Sequence, residues 1–138
     1  MSLRSTSATL ALALIGWLAP TQAAFGEDKL AHAQTAHVSH GTQRPKGPPV
    51  VRPQWQSGDL VVAITDLSFN CAPAPKLSVQ ADGDVLKLTV LPPTGAVARC
   101  WGAHDLTIQV DNVPKELTKV VLFDLKGAEL ARVALSSP

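Results

Sequence analysis

The chain has 138 residues, of which 46% are hydrophobic, 17% charged and 4% aromatic, with a formal net charge of +1, two cysteines and no tyrosine. That length holds one small domain and leaves little for a second. So small a charge gives no drive to neutralise phosphates, and the scarcity of aromatics removes a stacking platform for bases, so nucleic-acid binding is not expected.

Residues 1–23 read as a secretory signal peptide. Arg4 gives the short positive start, Ala8 to Leu18 an apolar run, Pro20 a break, and Thr21-Gln22-Ala23 the small residues of a cleavage site, with Ala24 as the alternative end. The run is shorter than the ~20 apolar residues that cross a bilayer, so no stable membrane anchor is expected after cleavage. No cysteine follows to carry a lipid. The expected destination is the periplasm or the extracellular space. Cleavage removes Arg4 and leaves a formally neutral chain, without long-range steering toward a polyanion.

Residues 24–57 differ from the rest. Ala24 to Gly41 is a polar, His-bearing stretch with few large apolar side chains, and residues 44–53 (RPKGPPVVRP) contain four prolines. Proline removes a backbone donor and restricts its predecessor, so a disordered tail and an extended spacer are expected. Pro45 and Pro48 formally match a PxxP ligand, but a spacer is the simpler reading.

From residue 58 to 138 the pattern becomes short alternating runs. Asp59–Thr65, Lys76–Gln80, Val85–Leu91, Asp105–Val110, Lys119–Leu125 and Glu129–Leu135 all read as strands. Leu86, Leu88 and Val90 share one face of their strand, and Leu106, Ile108 and Val110 share one face of theirs. Asp82-Gly83-Asp84 and Lys126-Gly127 supply hairpin turns. Six or seven strands without a convincing helix indicate an all-β fold: a small antiparallel β-sandwich, immunoglobulin-like or similar.

Cys71 and Cys100 are the only cysteines, and an exported chain meets an oxidising compartment, so one structural disulfide is expected. Closing a loop of about 30 residues stabilises a fold by ~3.5 kcal/mol in the chain-entropy picture. No C-x-x-C motif points to a redox pair. Trp101, next to Cys100, is placed to shield the bridge from water.

Phe69-Asn70-Cys71-Ala72-Pro73, then Arg99-Cys100-Trp101, His104 to Val110 and Asn112-Val113-Pro114 resemble a pattern in small bacterial exported β-sandwich proteins. There, an N-C segment precedes a hairpin, and a C-x-C-like segment leads into a "YDL" strand and a "GLP" turn. The resemblance spans roughly residues 60–125. The second cysteine of the C-x-C-like segment is missing here, and His104 stands in place of the aromatic. The resemblance implies the fold and the bridge, and no particular chemistry.

Four histidines are the remaining candidates. His32, His37 and His40 lie within nine residues, and neutral imidazole binds Cu or Zn well. His37 and His40 would share a face if the tail formed a helix. His104 and Asp105 are adjacent on a strand and so should point to opposite faces. No G-x-S-x-G elbow or phosphate-binding glycine loop occurs, and the aspartates sit at turns and strand ends. The expected function is therefore a non-enzymatic exported binding module without a cofactor, meeting a protein or other envelope partner through loops or a strand edge. The second reading is a periplasmic Cu- or Zn-binding protein using the His-rich tail.

Overall fold

The structure is a computed structural model that describes residues 28–29 and 33–138. The signal peptide expected at 1–23 and His32 lie outside the described residues. Nine strands follow in order: β1 (Asp28–Lys29), β2 (Ala33–Ser39), β3 (Val50–Gln56), β4 (Asp59–Asn70), β5 (Leu77–Asp82), β6 (Val85–Val90), β7 (Trp101–Val110), β8 (Lys119–Phe123) and β9 (Glu129–Ala134). They form a five-stranded sheet, β1-β5-β6-β8-β9, and a four-stranded sheet, β2-β7-β4-β3. The apolar faces of both sheets contribute to one core.

Period-two alternation explains which residues build that core. On β6, Leu86, Leu88 and Val90 point in, and on β7, Leu106, Ile108 and Val110 do the same. On β4, Leu60, Val62 and Ile64 face inward, but the series then continues at Leu67 and Phe69. The parity changes at a bulge. Ile64 pairs with Leu106 and Leu67 with His104, so Thr65 and Asp66 together oppose the single residue Asp105. Asp66 sits at φ 60°, a left-handed conformation that a short polar side chain tolerates.

Two tight turns follow their sequences. Gly83 has φ 58° at the first position of the two-residue loop between Asp82 and Val85. In the β8–β9 turn Gly127 has φ 79°, and the Asp124 Oδ1 accepts from the N–H groups of Lys126 and Ala128.

Two expectations need correction. The tail and spacer expected over 24–57 contain strands β2 and β3 within the described residues. β2 has few large side chains, and its ladder with β7 rather than its own burial holds it in place. β3 carries Pro53, which an edge strand tolerates because one side of its ladder is unpaired. Ser57 and Gly58, with φ 50° and 88°, turn β3 straight into β4. The stretch between Gly41 and Pro49 does run without strand pairing, as a proline-bearing spacer should. β6 and β8 pair in parallel, so the first sheet is mixed rather than antiparallel. Between them the chain leaves for β7 in the other sheet and returns, a connection long enough to allow parallel neighbours.

The Cys71–Cys100 disulfide is present, with Cα atoms 5.5 Å apart and a sequence separation of 29. The Cys71 N–H donates to the Cys100 carbonyl at 2.9 Å, carrying the β4–β7 ladder one step past Asn70 and Trp101. Replacing both cysteines with serine should lower the unfolding free energy by ~2–4 kcal/mol, read from guanidinium unfolding. An unchanged stability would show that the ladder closes without the bridge.

Candidate functional site

Strand β7 separates two groups of polar side chains. His104 points inward and is 0% exposed, and Asp105 points outward. Each meets a histidine from the β2 segment. Ser39 pairs opposite His104 and His37 opposite Leu106, which puts the His37 ring on the inner face, diagonal to His104.

On the inner face, the His104 Nε2–H donates to the Asn70 carbonyl at 2.9 Å. A neutral His104 then offers its Nδ1 lone pair, and His37 Nε2–H donates to it at 2.8 Å. The two rings stack with centroids 5.1 Å apart, and Phe69 meets His104 edge-on at 6.2 Å. Burial, and after it the nearby His104, hold the His37 pKa below its ordinary value.

On the outer face, His40 Nε2 lies 2.7 Å from Asp105 Oδ2. The other oxygen, Oδ1, accepts the Asp66 N–H at 3.1 Å. Asp105 therefore caps the amide that the bulge turns away from β7. The hydrogen bond from His40 is the main cause of its lowered pKa, followed in effect by that Asp66 N–H and the electrostatic influence of the nearby His40 and His104, against an opposing desolvation.

His40 is held by its own main chain. Its N–H donates to the Ala103 carbonyl, its carbonyl accepts from Gln43, and the Gln43 carbonyl accepts the Ala103 N–H at 2.8 Å. This turn lies directly on Gly102, where a Cβ would collide with the Gly41 carbonyl oxygen. Glycine is required there by close approach. Beside the turn is a polar hollow of about 260 Å³ lined by His40, Arg44, Lys46 and Asp105 among others.

The expected opposition of His104 and Asp105 is what the strand shows. The helix on which His37 and His40 would share a face does not form: the segment is strand β2 and the residue that follows it, and the two side chains lie on opposite sides of the sheet. Among the described residues, no group of three or more His, Cys, Asp or Glu side chains is arranged to hold a metal ion.

Trp101 follows Cys100 and opens β7. Its ring meets Phe69 edge-on at 6.4 Å and is 54% exposed, on the lip of an apolar cleft of about 280 Å³. The cleft opens between the sheets. Leu67, Phe69 and Val90 form its buried floor, and Leu125, Lys126, Leu130 and Pro49 join Trp101 around it. Leu125 and Lys126 were hidden in the sequence because Lys126-Gly127 reads only as a turn. The sign of something more is a large apolar residue, Leu125, left on that turn and 42% exposed.

Comparison of the chain with protein-family models, with curated proteins and with solved structures finds no match.

The histidine and aspartate environments set a two-stage acid response. The folded protein resists protonating His37, while the unfolded chain takes that proton near 6.5. This contribution is full above 6.5 and declines as the pH falls through it. Asp105 has a depressed pKa, so its contribution is full above 3.8 and is lost at lower pH. Urea midpoints measured against pH should show both declines in the native sequence. In His37→Gln the first should shrink and the second persist, and an unaltered first decline would remove His37 as its source.

Proposed function

We propose that this chain is an exported β-sandwich module that acts by binding, with the cleft beside Trp101 as its binding surface. The observation that carries this reading is the pairing of a buried apolar floor with two large, half-exposed apolar lips, Trp101 and Leu125. Elsewhere the described interior is satisfied: no buried side-chain nitrogen or oxygen lacks a hydrogen-bond partner. Covering the rest of each lip with a partner is worth roughly 1–3 kcal/mol by area alone, more at Trp101 than at Leu125.

The scaffold suits this use. Two packed sheets hold the cleft's walls, and the loops at their ends are free to vary, as in immunoglobulin-like modules. The disulfide fits an oxidising compartment, which supports the export part of the reading. The most enzyme-like pair, His40 and Asp105, has a different task in the same reading. Both Asp105 oxygens are engaged, one by His40 and one by the bulge, so the pair positions backbone rather than a substrate.

A photo-crosslinking amino acid in place of Leu125 tests the reading in intact cells of the source organism. The expected result is a discrete adduct of fixed mass that the additional change Trp101→Ala suppresses. The same group in place of Thr107, on the outer face of β7, should give none. Equal adducts at both positions, or none from position 125, would contradict the assignment.

A further inference from the structure

The polar groups around the cleft narrow down its occupant. We propose that the cleft takes a small organic anion, with an apolar body on the floor and a single carboxylate on the Lys126 ammonium. This rests on the reading of the cleft as a binding surface and specifies its ligand.

Size is the first constraint. About 280 Å³ is close to the lower end of the ~300–1,000 Å³ typical of ligand cavities, enough for one ring and a short chain. Leu67, Phe69 and Val90 give the floor no polar side-chain group, and each is at most 4% exposed. The Trp101 ring stands at the lip, where it offers a face to an aromatic or acyl body.

Charge is the second. Asp124 and Lys126 are the ionisable side chains at the cleft. Asp124 turns inward on its own loop: its Oδ1 accepts the N–H groups of Lys126 and Ala128, each at 2.8 Å. Its main chain closes the same turn, accepting from Gly127 and donating to Ala128. The loop is thereby fixed, and one of the carboxylate oxygens, Oδ1, is occupied with backbone. Among the described residues the Lys126 ammonium has no ion-pair partner. Lys126 is the cation among the residues lining this apolar cleft, and a cation there attracts a carboxylate and repels an ammonium.

The test is a titration of the folded protein with phenylbutyrate and with the neutral analogue phenylbutanol, followed by backbone amide NMR. Phenylbutyrate should give saturable shifts at Ser68, Trp101 and Leu125. Lys126→Gln should weaken phenylbutyrate by roughly fivefold, the upper range for an exposed ion pair, and leave phenylbutanol unchanged. If phenylbutanol saturates these amides while phenylbutyrate does not, or if Lys126→Gln affects neither, the anionic specificity is overturned and the cleft remains a binding surface. Failure of both ligands overturns the proposal, while crosslinking from position 125 judges the binding reading on its own.

Discussion

A single extra residue in β4, held in place by Asp105, decides which side chains reach the floor of the apolar cleft. Thr65 and Asp66 stand opposite one residue of β7, so the inward series shifts from Leu60, Val62 and Ile64 to Leu67 and Phe69. A one-residue slip in a strand exchanges its two faces. Without this bulge Leu67 and Phe69 would face away from the core, and the cleft would lose two of its three floor residues. The bulge also leaves the Asp66 N–H without its ladder partner, and Asp105 supplies the replacement acceptor.

The same carboxylate reaches in the other direction. By engaging His40, Asp105 joins the bulge to the turn that follows β2, and Gly102 allows that turn to lie on β7. On the inner face, His104 connects His37 to the Asn70 carbonyl, four residues beyond the bulge. β2 is thus fastened to the sheet from both sides, by one histidine pair and one histidine–carboxylate pair. The polar histidine groups and the apolar cleft then have separate tasks. The former hold an edge strand and the bulge, and the latter presents surface.

Much of this was legible in the sequence, because alternation is a local signal. Leu86-Lys87-Leu88 and Leu106-Thr107-Ile108 state their faces outright, and the adjacency of His104 and Asp105 is enough to place them on opposite sides. The two cysteines needed only a compartment to pair. What escaped depends on partners distant in the chain. β2 has no hydrophobic alternation and exists through its ladder with β7. β3 was obscured by Pro53, although Ser57-Gly58 ahead of Asp59–Thr65 is a usable hairpin signal. The bulge hid the end of β4 beyond Thr65, since Thr65-Asp66 interrupts the pattern that Leu67 and Phe69 then resume. The parallel β6–β8 pairing has no local signature, and the cleft combines residues from both sheets.

The bulge depends most directly on the bond from the Asp66 amide to Asp105, and native-state hydrogen exchange reads that amide individually. In the native sequence the Asp66 N–H should be protected. In Asp105→Ala it should exchange freely, with the amides of Val38 to His40 losing protection alongside it, while those of Leu106 to Val110 hold. An Asp66 amide that stays as protected in Asp105→Ala as in the native chain would show that the bulge is set by something other than Asp105, and would contradict the account.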